Sequence, residues 1–270
     1  MELILRINVY PDSLRKRIQN IQDTKSTGML KFLKNHPFAV EAHFDSSVVF
    51  TFALPKEQLQ HKIPSYLELD TLNDQWAFLA VAMVQTRHLR PAGFPKFFGN
   101  DFFLIGYRIF VRYTTRTGKR LRGLYIIKSE TNRKKMQWLG NLFTHYNYST
   151  TDIQDTGMGD IRSISSAASQ FSVSFTKKED PPLPHGSPFA SWKEARRFAG
   201  PLPFTFTSLS ENNSLLIVEG VRRNWKPYPV EVINFQIQIA EKFGLNNAIL
   251  ANAFIVENIP YRWEKGKTDL

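Results

Sequence analysis

The chain contains no cysteine. That absence excludes disulfides, thiolate metal sites and thiol nucleophiles, and it fits a reducing compartment. No apolar run approaches the roughly 18 residues that a membrane-spanning helix needs. The amino-terminal "MELILRINVYPDSLRKR" has too short an apolar run for a signal peptide, and its basic residues follow that run instead of preceding it. Two glycosylation-type patterns, at Asn147 and Asn212, carry little weight without a secretion signal. His36, His43, His61, His88, His145 and His185 show neither HxH nor HExxH spacing, so no metal site is expected. GxSxG, P-loop and GxGxxG patterns are missing as well, and no cofactor is expected. There is no internal repeat and no low-complexity tract. These absences describe a cytoplasmic protein that is not bound to a membrane.

What is present is apolar and aromatic: 42% hydrophobic residues, with 22 phenylalanines among 270 positions. Such a chain can bury a substantial core. The net charge of +11 is unevenly spread, because residues 87–140 hold 13 basic and 2 acidic groups. A charge excess confined to one quarter of the chain favours a negatively charged partner near it, or else marks a solvated hairpin tip.

Residues 1–35 read as a helical amino-terminal segment, stopped before His36-Pro37. The stretches "SSVVFTFALP", "DQWAFLAVAMVQTRHLRP" and "FFLIGYRIFVRYTTRTGKRLRGLYIIKSE" are rich in β-branched and aromatic residues. Turn signals such as Leu72-Asn73-Asp74 and Thr117-Gly118 punctuate them, which predicts antiparallel hairpins. "NRKKMQWLGNLF" predicts a helix with Met136, Leu139, Leu142 and Phe143 on one face and Thr131 or Asn132 as its cap. Further strands follow, then a rigid "DPPLPHGSP" loop, a short helix at "SWKEARRFAG" ending at Gly200, and a hairpin through "PFTFTSLSENNSLLIVEGVRRNW". "PVEVINFQIQIAEKFGL" is read as a helix, although Ile233, Phe235, Ile237 and Ile239 alternate as in a strand. The class is α+β, mainly antiparallel, with a curved or barrel-like sheet that removes exposed edges.

Five cationic residues of the hairpin 102–130 and its sequel invite chemistry. Arg108 and Arg112 share a strand face with Leu104 and Phe110, while Lys128 and Glu130 share a face with Leu124 and Ile126 in the returning strand. With the turn at Thr117-Gly118, Arg108 falls near Lys128. The pair either forms ion pairs with Glu130 and other carboxylates, or holds a carboxylate or phosphate in a pocket. Gly106 would let a ligand or another backbone approach closely. The doublet Lys134–Lys135 resembles the paired lysines of an amine nucleophile, but its members diverge around a helix start and read as a solvated face. "RRNWKPYP" offers Arg222, Arg223, Trp225 and Tyr228 for stacking, or makes a surface turn; the turn is preferred. Asp70 and Asp74 read as turn-stabilising residues.

The run "LELDTLNDQWAFLAVAM", "GYRIFVRYTTRTGKRLRGLYIIKSETN", "WLGNLFTHYNY" resembles an uncharacterised family of bacterial proteins, the YqjF-like proteins, built on the acetoacetate-decarboxylase-like fold. The resemblance covers residues 35–165 well and the remainder loosely. Arg108 matches the family arginine, Gly123-Leu124-Tyr125 matches its Gly-[Val/Leu]-Tyr, and Glu130 stands at its aspartate. Gly106, Phe110 and Lys128-Ser129 depart from the pattern. By the same resemblance, the lysine pair with which acetoacetate decarboxylases form a Schiff base would fall at Tyr148 and Ser149, with Asn141 and Leu142 replacing an arginine and a glutamate. The amine nucleophile is therefore missing. The resemblance implies one β-rich domain over 36–270 with an internal cavity for a small organic acid, where Arg108, Arg112, Lys128, Glu130 and Tyr148 are the ligand-binding candidates. The competing expectation is a nucleic-acid or acidic partner on the basic hairpin 116–135.

Overall fold

The computed structural model describes residues 32–200, 202–209, 214–223, 225–238 and 247–269. Its strands are β1 (Val40–Pro55), β2 (Glu68–Leu69), β3 (Trp76–Pro91), β4 (Asn100–Thr114), β5 (Arg120–Thr131), β6 (Tyr148–Thr150) and β7 (Gln154–Met158). They continue with β8 (Ile161–Ser166), β9 (Phe171–Lys177), β10 (Phe204–Leu209), β11 (Ser214–Arg222), β12 (Tyr228–Ile237), β13 (Ile249–Trp263) and β14 (Lys267–Asp269). Helices α1 (Lys56–Gln60), α2 (Lys134–Phe143) and α3 (Trp192–Phe198) pack around them.

Long antiparallel pairings carry the fold. β3 lies between β1 and β4, and β4 pairs with β5 through the turn at Gly118, which takes a φ of +80°. In β3 the alternation sends Ala77, Leu79, Val81 and Met83 into one apolar cluster and Phe78, Ala80, Ala82 and Val84 into another. Both faces are buried, which is why the strand reads as an almost unbroken apolar run.

The order β11-β10-β5-β4-β3-β1-β13 closes on itself, because Gly220–Arg222 of β11 pair with Trp263–Tyr261 of β13. Every contact in this ring is antiparallel except β10 against β5. Closure satisfies strand edges that would otherwise be open. β12 leaves β13 and continues into β9, β8 and β7, so that Phe171, Val173 and Phe175 cover the face carrying Phe50, Leu79 and Tyr107. Fully burying each such large side chain contributes about 1.5–3 kcal/mol.

The segment after Pro229 is strand β12 and not a helix over its described part: Val230, Val232 and Phe235 pair with Lys177, Phe175 and Val173, and cross-strand packing outweighs the helix-like flanks. Neither Thr131 nor Asn132 caps α2; Arg133 occupies that position without a side-chain cap, and Asn132 Oδ1 accepts the Phe103 amide at 2.9 Å. The helical segment expected over 1–35 lies almost wholly outside the described residues.

Candidate functional site

A cavity of about 340 Å³ is lined by all seven ring strands. Its floor follows one row across the sheet, Phe254–Val49–Ala82–Gly106–Ser129–Tyr148, in which each residue is the registered partner of the next and all but Gly106, which Arg108 covers, line the cavity. Alanine, valine, serine and glycine leave this row low, and room remains above it. The roof is the apolar face of α2, where Met136, Leu139, Gly140 and Phe143 look in. Gly140 is required: a Cβ there would overlap the ring of Tyr148. Asn141 fixes the backbone of Tyr148 from both sides, its amide donating to the carbonyl oxygen at 2.9 Å and its oxygen accepting the Tyr148 amide at 2.8 Å.

Arg108 reaches into this space. Its side chain folds back over Gly106, with the guanidinium 3.1 Å from where a Cβ of residue 106 would stand. Its Nε is buried and makes no hydrogen bond. Arg108 is half-buried as a whole and lines the cavity. Arg222 enters from β11, stacked 4.6 Å from the ring centre of Trp225 and 5.8 Å from that of Tyr261, and its Nη2 is also unpaired. Burial lowers the pKa of both guanidiniums, and each is further affected by nearby groups: tyrosines support Arg108, whereas Arg108 opposes the charge on Arg222. Among the described lining residues there is no Asp, Glu or Lys. The third lining arginine, Arg90, is already satisfied by Glu41 and by the carbonyls of His88 and Phe94.

Tyr146, Tyr148 and Tyr261 add phenol groups to the wall, beside the smaller polar side chains of Ser47, Thr86, Asn100, Ser129, Thr144 and Thr205. Burial pushes the Tyr148 phenol up to about 12, and Arg108 pulls slightly the other way. Tyr148 is therefore a neutral hydrogen-bond donor near pH 7, not a base. His36, at the rim, is 6% exposed and its Nδ1 is unpaired. Burial depresses its pKa to about 4, so it adds no positive charge.

The expected meeting of Arg108 with Lys128 does not occur. Tyr107 pairs with Lys128 but Arg108 pairs with Ile126, so Ile127 is an extra residue in β5. A one-residue bulge inverts the alternation beyond it. Leu124 and Ile126 face the cavity, as does Ser129, while Lys128 and Glu130 turn to the opposite side. There Glu130 accepts from Lys128 Nζ at 2.5 Å, from the Tyr107 hydroxyl at 3.0 Å and from Ser169 at 3.0 Å. The ion-pair reading thus holds for Lys128 and Glu130 and fails for Arg108. Arg112 keeps Arg108's face but does not line the cavity; it and Arg122 both bind Asp70, a fully buried carboxylate, with Nε–O distances of 2.6 Å each. Asp70 is thus a charge clamp and not merely a turn residue. Lys134 and Lys135 are exposed. Of the "RRNWKPYP" segment, Arg222 and Trp225 belong to the cavity. Its Arg-x-x-Trp spacing carried that signal, but the surface-turn reading hid it.

The profile of DUF2071, described as an uncharacterized conserved protein, matches residues 41–260. A search of curated proteins finds no match. The fold is similar to the acetoacetate decarboxylase of Legionella pneumophila subsp. pneumophila str. Philadelphia 1, with a TM-score of 0.56 and 12% identity over 84% of this chain and 86% of that one. It is similar to the enduracididine biosynthesis enzyme MppR in complex with pyruvate, with a TM-score of 0.56 and 10% identity over 87% and 91% of the two chains. An acetoacetate decarboxylase-like enzyme from Sphingomonas wittichii RW1 gives 0.55 and 12% identity over 86% and 92%. At these identities the likeness concerns the fold.

Proposed function

The chain belongs to the DUF2071 family, and on that footing we propose that its cavity binds a small organic acid whose charge is taken up by Arg108 with help from Arg222. One observation carries this reading: an arginine that lines the cavity with its Nε buried and unbonded, where no carboxylate is found among the described lining residues. An unpaired buried charge costs several kcal/mol, and an incoming anion removes that cost. The hydroxyl of Tyr148 and the stacked Arg222 stand ready to donate to the same group. MppR, a protein of the same fold, was solved with the organic acid pyruvate bound, which agrees in ligand class.

Schiff-base chemistry has no place in this reading, since none of the described lining residues is a lysine and the tyrosine at position 148 cannot form an imine. Lys128, Glu130 and Arg112 are left as parts of the framework. The lining draws on residues from His36 to Trp263, which supports treating 36–270 as one domain, and the cysteine-free composition supports a cytoplasmic setting. Nothing observed favours nucleic-acid or acidic-partner binding on the hairpin 116–135, where Arg122 is already engaged by Asp70.

The test is a thermal-shift screen of organic acids on the wild type, Arg108→Ala and a hairpin-tip charge reversal, Lys119→Glu. Binding raises the melting temperature. The shift is expected to vanish in Arg108→Ala and to persist in Lys119→Glu; the reverse pattern would sink the proposal.

A further inference from the structure

The cavity has a shape as well as a charge. The polar groups gather at the row of Ala82: Gly106, over which Arg108 folds, is registered with Ala82 and with Ser129, and Ser129 with Tyr148. On one side of that row the lining is short, reaching only Ala80 on β3 and Phe110 on β4. On the other side it runs on through Val84, Thr86, Leu89, Arg90 and Pro91 of β3, and through Leu104, Phe102 and Asn100 of β4. Nine positions from Ala82 to Pro91 correspond to roughly 30 Å of strand at the usual rise. A volume of about 340 Å³ spread along such a length is a narrow slot, not a chamber. Its roof over this arm is Leu139, Phe143 and Phe38.

The unpaired cations, Arg108 and Arg222, sit at one end. The long arm is hydrocarbon apart from Thr86, Asn100 and Arg90, and the Arg90 charge is already taken up by Glu41 and by the carbonyls of His88 and Phe94. An acid of three or four carbons would satisfy the guanidinium and leave the arm empty or filled with poorly bonded water, which apolar walls disfavour. At the far end, the loop joining β3 to β4 exposes Phe94, Phe97 and Phe98 at 54%, 79% and 59%. This exposed apolar cluster lies on the loop between the lining residues Pro91 and Asn100.

Building on the anion-binding reading above, we propose that the ligand is an unbranched aliphatic carboxylate of medium to long chain, its head on Arg108 and its chain laid along β3 and β4 toward Leu89. The arrangement suits a molecule that is one methylene wide and charged at one end only. Short oxo acids bind the head site without using the arm.

Isothermal titration below the critical micelle concentration tests this with acetate, butyrate, octanoate, dodecanoate, pyruvate and 4-phenylbutyrate, and with octanol and dodecanol as uncharged controls. Affinity should rise up to roughly four-fold per methylene between butyrate and octanoate, the limit set by full burial of each group. Arg108→Ala should cut octanoate binding at least ten-fold and leave octanol unchanged. Val84→Phe, which narrows the arm one step beyond the polar row, should abolish the gain with chain length and spare butyrate. If pyruvate or butyrate binds as tightly as dodecanoate, or if 4-phenylbutyrate binds more tightly than every unbranched acid, the chain assignment falls and the anion site stands. If acids and alcohols of equal length bind alike and Arg108→Ala changes neither, the anion site itself falls, and the carboxylate with it. Absence of binding by every acid overturns both.

Discussion

Arg108 is the residue on which ligand binding and stability pull in opposite directions. Its Nε is buried without a hydrogen-bond partner and no salt bridge among the described residues neutralises its charge, which a fold optimised only for stability would not keep. Arg108→Met removes the unpaired charge at nearly the same length, and is expected to raise the stability of the ligand-free protein by about 1–3 kcal/mol, measured by urea denaturation, while ending its response to carboxylates. His36 gives a second residue-scale prediction. Burial holds its folded pKa near 4, below the ordinary 6.5. Protonation therefore favours the unfolded chain. The contribution is intact above pH 6.5 and is lost as the pH falls from there toward 4, in total about 3 kcal/mol. His36→Phe should flatten that part of the stability–pH profile; an unchanged slope would show that the loss arises elsewhere.

At the scale of the element, α2 works as a roof because one position has no side chain. Gly140 weakens the helix, yet Tyr148 occupies the space its Cβ would take. Gly140→Ala should raise intrinsic helix propensity by about 1 kcal/mol and still lower the melting temperature, since Tyr148 is tied to Asn141 and cannot retreat freely. A rise in melting temperature would show that the tyrosine yields. The bulge in β5 is the other element-scale device. By adding Ile127 it separates a charge that is neutralised, on Lys128, from one that is left open, on Arg108. In a regular ladder both would face the cavity, and Glu130 would enter it and quench the anion site.

At the scale of the whole molecule, the ring closes through three residue pairs, Gly220–Trp263, Val221–Arg262 and Arg222–Tyr261. The same short seam delivers Arg222 and Tyr261 to the cavity. A side chain at 220 would overlap the Tyr261 phenol, so Gly220→Val should loosen closure and site together: hydrogen exchange at Tyr261–Trp263 should accelerate and carboxylate binding should weaken, while β3 and β4 stay protected. Protection unchanged at the seam would contradict the coupling.

Local chemistry determined much of this. Alternating β-branched and aromatic residues specify β3, β4 and β5, Thr117-Gly118 marks their turn, and the spacing of Met136, Leu139 and Phe143 builds one apolar helix face; Arg108 on a strand face with Phe110 was legible for the same reason. These features depend on neighbours within a few residues. What the tertiary structure alone decided is which side of the sheet each charge occupies and what it meets there. A single inserted residue reverses a strand's faces without any signature in composition, so Lys128 and Glu130 left the site. Pairings between positions far apart in the chain brought Arg222, Trp225 and Tyr261 to Arg108 and carried Arg112 and Arg122 to Asp70. A short-range pattern contains no information about such contacts, because their free energy is realised only when the ring closes.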